Sequence, residues 1–201
     1  MCVDRGIPVA SRRTLGGINL LHPTLATLVG TTVNGKPNFI TIAHIGIFTH
    51  GKPNLISLGM GKTHYSNQGI KENRTFSVNI PSENLVQETD YVGLYSGKKH
   101  DKSGLFEIFY GELKTAPMIR ECPVSMECKL HNVYDTPSHD VFIGEIVETY
   151  VDESILIDDA VDISAVKPLL FDMSSRKYWS LGDEKAKSWN VGKEIKKKLQ
   201  L

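Results

Sequence analysis

The segment Gly59-Met60-Gly61-Lys62-Thr63-His64-Tyr65-Ser66 carries the residue types of an anion site. It leaves a predicted strand and opens a predicted helix. Free backbone N–H groups, the Lys62 ammonium and the Thr63 and Ser66 hydroxyls therefore converge where one phosphate can sit. An N-capped helix with an exposed lysine is the other reading of the same residues. Gly61-Lys62-Thr63 ends like a P-loop, but that motif needs a glycine five positions before Gly61, and Ile56 stands there, inside a strand. Cys122, Cys128 and His131 are of zinc-ligand type. On one strand over 124–134, Cys128 and His131 point to opposite faces. Cys122 lies ~20 Å from Cys128 in an extended chain, too far for a disulfide or shared ligation without a sharp bend. Asp158, Asp159 and Asp162 lack EF-hand spacing and read as a solvated loop. No nucleophile–base motif of the G-x-S-x-G kind occurs.

The whole chain frames this site. It has 201 residues, 23 basic against 23 acidic side chains and three cysteines, the balance of a globular protein. Zero net charge opposes a nucleic-acid partner, because phosphate neutralisation needs a basic field. Three cysteines form no disulfide framework and suit a reducing compartment. Residues 1–13 are charged at Asp4, Arg5, Arg12 and Arg13, and no stretch approaches the ~18 apolar residues of a membrane span. A cytoplasmic protein with no membrane contact is expected.

The elements that position the anion loop are mostly strands. Gly35-Lys36-Pro37-Asn38-Phe39-Ile40-Thr41-Ile42 is echoed by Gly51-Lys52-Pro53-Asn54-Leu55-Ile56-Ser57-Leu58, each a turn followed by a strand. Asn34-Gly35 is a hairpin signal. Alternation places Ile40 and Ile42 on one face, Thr41 and Ala43 on the other; in the echo, Ile56, Leu58 and Met60 oppose Ser57 and Gly59. The large residues are core. The small-residue faces admit either another packed element or a flat ligand. Further strands are predicted over 25–33, 75–80, 105–111, 124–134 and 140–151. Short helices are predicted over 64–73 and from Ser82 as N-cap to about Gly93, and a lysine-rich helical tail over 183–201. Strands at short spacing point to a mainly β barrel or sandwich. The tail lysines, from Lys185 to Lys198, read as a solvated face. Tyr178 and Trp179 could stack on a ring or close a dimer.

The runs GKPNFITIAHIGIF, LISLGMGKTHYSNQGIKENRTFSVNIPSENL, VGLYSGKKHDKSGL, IRECPVSMECKL and SHDVFIGEIVE together resemble the flavin reductase-like, FMN-binding split-barrel family, which includes flavoredoxins and small flavin reductases. The resemblance spans roughly 15–155, leaving an N-terminal arm (1–14) and a C-terminal extension (156–201). It implies a six-stranded antiparallel Greek-key split barrel and a homodimer with FMN near the interface. It implies electron transfer from NAD(P)H through FMN to a second acceptor: flavin, ferric iron or a protein. The alternative it implies is a flavoredoxin-like carrier reduced by a partner protein. By matched position it implies ring contacts from Thr41, Ala43 and His44. It implies cofactor contacts from Ser57, Lys62, Thr63, His64, Ser66 and Lys102, and a catalytic role for His139. The family's Gly-Asp-His signature is altered here to Pro137-Ser138-His139-Asp140, with the acidic residue after the histidine.

Overall fold

The computed structural model describes residues 10–199. Its body is a seven-stranded antiparallel sheet in the order β3-β2-β6-β9-β10-β5-β4. The strands are β2 (Thr27–Val33), β3 (Lys36–Ile42), β4 (Ile45–Thr49), β5 (Leu55–Gly61), β6 (Thr75–Ile80), β9 (Val124–Asp135) and β10 (His139–Val151). A short β1 (Thr24–Leu25) precedes them. The hairpin β7 (Ile108–Phe109) and β8 (Met118–Ile119) and the hairpin β11 (Leu156–Ile157) and β12 (Ala160–Val161) form separate two-stranded sheets. Helix α1 (Ser66–Asn73) follows β5, and α2 (Val86–Leu94) follows a 3-10 turn over Glu83–Leu85.

The Asn34-Gly35 turn forms as expected: both residues have positive φ (50° and 74°), and Val33 pairs with Lys36 across them. The face assignment also holds. Ile42, Ile56, Leu58 and Met60 join Val29, Phe76 and Phe142 in the main core cluster. Each fully buried side chain of this size contributes about 1.5–3 kcal/mol of transfer free energy. The two echo segments end on opposite flanks of the sheet, and β3 approaches β5 across a seam that no hydrogen-bonded ladder closes. That seam is the split of the barrel.

Several expectations need correction. The sheet has seven strands, not six, because Ile45-Gly46-Ile47-Phe48 pairs with β5 despite lacking any apolar–polar alternation. The strand expected over 105–111 shrinks to Ile108–Phe109. Ser82 makes no side-chain cap; its backbone instead bridges Pro168. Among the described residues of the tail, only Lys193–Leu199 is helical. Residues beyond 155 return to the barrel: β13 (Leu170–Asp172) pairs with β1 and carries β14 (Lys177–Trp179) at its other edge. Tyr178 there donates its hydroxyl to Asp90 on α2 (3.1 Å), while Trp179 stays exposed. Cys122 and Cys128 lie in different buried clusters, and burial pushes both thiols up in pKa. Cys2 lies outside the described residues. Among the described residues no helix is long and apolar enough to cross a membrane.

Candidate functional site

The seam between β3 and the end of β5 opens into a cavity of about 210 Å³. Asn38 and Ile40 supply its β3 wall; Thr63, His64 and Ser66 supply the loop that leaves β5. Gly93 to Gly97, at the end of α2, and Lys102 close the far side. Four of the sequence-expected residues (Thr63, His64, Ser66 and Lys102) are thereby brought together. Asn38 was not expected. It is buried and donates from Nδ2 to Ser66 Oγ (2.7 Å). A Cβ at Gly97 would sit 1.8 Å from Oδ1 of the buried Asn38 side chain, so glycine lets the 96–97 turn press against β3 with Asn38 in place.

Lys102 is 4% exposed. Its Nζ donates to the carbonyls of Val92 (3.0 Å) and Tyr95 (2.8 Å), the unsatisfied acceptors at the C-terminus of α2. Burial pushes its pKa down to about 8, so it is still mostly protonated at neutral pH. Thr41 has its hydroxyl committed to the Thr89 carbonyl, which ties α2 to β3 directly behind Gly93. Ala43 accepts at its carbonyl from Thr24 Oγ1 (2.9 Å) and does not line the cavity. Ser57 lies on β5 opposite Gly46 of β4, its hydroxyl 3.4 Å from the Gly46 carbonyl.

The small-residue face of β5 is not bare. His44 covers Gly59, where a Cβ would lie 3.2 Å from the His44 Cβ; His64 covers Gly61 at 3.4 Å from Nε2. His139 pairs with Gly61 across β10–β5, and its ring centroid lies 5.8 Å from that of His44. Three imidazoles thus share one patch. Burial is the main cause lowering the pKa of His44 and of His64, and the neighbouring histidines lower both further. His44 and His64 are therefore neutral at pH 7. His64 Nδ1 is buried with no hydrogen-bond partner among the described residues.

Two charges go elsewhere than the sequence suggests. Lys62 pairs with Asp135, the last residue of β9, and stays off the cavity wall. Asp140 is no partner for His139. Alternation on β10 sends it to the opposite face, where Oδ2 accepts from Lys71 Nζ (2.7 Å) and Asn67 Nδ2 (3.0 Å). Among the described residues, the side chain bonded to the His139 ring is Ser138, whose Oγ lies 2.8 Å from Nδ1. Asp140 instead anchors the start of α1, and with it the loop that carries Thr63 and His64. The reversed order His139-Asp140 in the sequence was the available signal for this.

The comparisons agree with this architecture. Residues 20–180 match the flavin reductase-like domain family. Flavoredoxin from Methanosarcina acetivorans is 40% identical, with a TM-score of 0.89 over 92% of this chain and 100% of its own. Flavoredoxin of Desulfovibrio vulgaris (Miyazaki F) is 36% identical, with a TM-score of 0.83 over 90% of this chain and 100% of its own. An FMN-binding protein from Thermus thermophilus, at 20% identity, a TM-score of 0.73 and coverage of 90% of this chain and 99% of its own, shares the fold.

The Asp140 anchor titrates. The hydrogen bond from Lys71 is the first cause holding its carboxyl below the ordinary carboxylate range. A group depressed in the folded state stabilises fully above its unfolded pKa of about 3.9 and loses that contribution as pH falls through its lower folded value. Asp140→Asn should therefore cost about 1.5–3 kcal/mol at pH 7, the scale of hydrogen bonds to a charged group. Urea unfolding should show the gap between wild type and variant closing below pH 4.

Proposed function

Because the chain belongs to the flavin reductase-like domain family, we propose that it is an FMN-dependent oxidoreductase that takes electrons from NAD(P)H and passes them to a second acceptor. One observation carries the proposal: a cavity at the open seam of the barrel, cationic at Lys102 and rich in hydroxyls, lies beside a patch of neutral imidazoles. The residues fit a flat ring with an anionic tail. Thr63 and Ser66 bring hydroxyls to the wall, Lys102 brings charge, and the buried His64 Nδ1 lacks a partner. FMN, when bound, supplies the two-electron redox chemistry.

The chain's own residues do the rest. Asn38 holds the Ser66 hydroxyl in place. Lys102 supplies positive charge without a mobile stem, because two carbonyls already fix its ammonium. Thr41 and Gly93 set the width of the seam by locking α2 against β3. His44, His64 and His139 present an uncrowded polar surface along β5. Beside the ring of a donor, the neutral His44 and His64 imidazoles orient without repelling a cationic nicotinamide.

A carrier function is the second reading: FMN held here would be reduced by a partner protein, with little NAD(P)H turnover. It is favoured by the identity to flavoredoxins and by the lack of an acidic partner for His139 among the described residues. A homodimer is part of the same proposal. The edge strand β4 exposes Ile47 (81%) and Phe48 (52%), and an apolar strand edge of that kind calls for a covering surface.

Three measurements test these statements. Purified protein mixed with FMN should show bound-flavin bands, and anaerobic NADH or NADPH should bleach them within a turnover. Bands that persist until a reduced partner protein is added would select the carrier. Thr63→Val should raise the Kd for FMN about ten-fold, the loss of one charge-assisted hydrogen bond, whereas Lys62→Ala, whose ammonium is engaged by Asp135, should change it less than about three-fold. Sedimentation velocity should give twice the mass of one chain, and Phe48→Lys should shift it to one.

A further inference from the structure

Trp189 is 95% exposed, more than any other large apolar side chain among the described residues. Every residue from Trp179 to Lys196 is exposed, and the backbone hydrogen bonds of 187–195 stay within that segment. Its ion pair among the described residues, Lys185 with Asp183 at 3.9 Å, is internal too. From Lys185 to Lys198 the sequence sets six lysines against Glu194 alone and places Val191 two positions after the tryptophan. A bare indole flanked by ammonium groups matches a receptor that is apolar at its centre and acidic at its rim. One face of the barrel has that character. A groove of about 630 Å³ runs between α2 and β14. Val86, Tyr91, Leu94, Tyr95 and Tyr178 supply its apolar lining, with the Tyr91 and Tyr95 ring centroids 4.8 Å apart. Residues 83–97 carry Glu83, Glu88 and Asp90 and no lysine or arginine. None of these three carboxylates has an ion-pair partner among the described residues; Asp90 accepts the Tyr178 hydroxyl. Arg176 is the one base in the lining.

We propose that this groove receives the Trp189 segment of a second copy of the chain, with the indole among the tyrosine rings and the tail lysines facing the acids of α2. One chain carries both halves of the match and leaves both uncovered. Two copies related by a two-fold axis fill each other's groove, and the assembly closes at two. An anionic surface of another kind would satisfy the lysines but leave the groove open. Seating the indole takes about 150–250 Å² of apolar surface out of water, and the rings of Tyr91 and Tyr95 offer it edge and face contacts. Leu94 and Tyr95 line this groove and also the cavity at the seam. The partner's Trp189 would therefore stand at the rim of that cavity, which one chain alone leaves unfinished. The inference rests on the dimer proposed above for its second copy, but it names a different contact from the β4 edge.

The test reads Trp189 in the full chain carrying Trp179→Phe, where it is the one remaining tryptophan. Its emission should be blue-shifted from that of a free tryptophan amide and poorly quenched by acrylamide. Adding Tyr91→Lys, which brings a like charge into the groove, should abolish both effects. Gln87→Phe, which fills the groove with a ring, must do the same; both positions are exposed, and an unchanged melting temperature certifies each variant. A second arm identifies the donor of the indole. Chains labelled with nitrogen-15 are co-expressed or exchanged with unlabelled chains and coupled with a carbodiimide, which joins a lysine amine to a carboxylate. Peptides linking the 185–198 segment to Glu83, Glu88 or Asp90 should include labelled–unlabelled hybrids. The proposal is overturned if Trp189 emits as an exposed indole in the parent chain, if neither groove variant changes its emission, or if the linked peptides carry one isotope only, which assigns the segment to its own chain. Sedimentation velocity on the same samples separates the two statements: a dimer with an exposed Trp189 overturns this docking and leaves the β4 dimer standing, whereas a single-chain mass overturns both.

Discussion

Asn67 sits where the barrel and its helical layer must agree. Its Nδ2 donates to the Gly61 carbonyl at the end of β5 and to Asp140 on β10, both at 3.0 Å. Lys71, one turn further along α1, reaches the same carboxylate oxygen at 2.7 Å. A carboxylate this buried is costly unless its lone pairs are filled, and here an amide and an ammonium fill them. The result is a fixed start for α1, held at two strands at once. The loop 62–65 spans the gap between β5 and α1, and this anchor works together with the bonds from Lys62 N to the Ser138 carbonyl (3.1 Å) and from His64 N to the Gly61 carbonyl (3.0 Å). Thr63 and His64, which the loop gives to the cavity, are held between these bonds and the anchored start of α1.

The opposite wall is set by a different compromise. A sheet that does not close leaves β3 as an edge, and an open edge must be covered. Helix α2 covers it, pinned by Thr41 to the Thr89 carbonyl and allowed close by Gly93. The helix then ends with unsatisfied carbonyls facing inward. Lys102 fills them, and its pKa of about 8 records the cost of burying the ammonium there. One side chain thus caps a helix and charges the cavity beside it. Replacing it would disturb α2 as well as any anion beside it, so Thr63 separates cofactor binding from folding better than Lys102 does.

Local features were legible in the sequence and long-range ones were not. The Asn34-Gly35 turn, the large and small faces of β3 and β5, and the grouping of Thr63, His64 and Ser66 follow from spacing within a few residues. The resemblance supplied Lys102 as a cofactor contact but not its anchorage to α2. Strand β4 was missed because pairing, and no pattern of its own, makes it a strand. Lys62 and Asp135 are 73 positions apart, as are Asn67 and Asp140. No local rule reports which carboxylate an exposed lysine will meet. Asp140 is the instructive case: its place after His139 looks like a damaged motif, yet alternation along β10 sends consecutive residues to opposite faces, so its carboxylate serves α1 while the imidazole serves the patch on β5.

The charge balance of the chain gains meaning from this geometry. Twenty-three bases against twenty-three acids cancel over the molecule but not along the seam. At one end stand His44 and His64, kept neutral chiefly by burial and further by the nearby His139. At the other end stand Lys102 and, in the cavity that adjoins it, Lys36, Lys98 and Lys99. A uniformly cationic cleft would bind any anion in either direction. For the flavin proposed above, a neutral end and a cationic end, joined by a hydroxyl-lined passage, would favour one orientation: the planar ring along β5 and the phosphate toward Lys102. Protonating the histidines would erase that difference. On that proposal, the downward shift of the His44 and His64 pKa values helps to keep the two ends different at neutral pH.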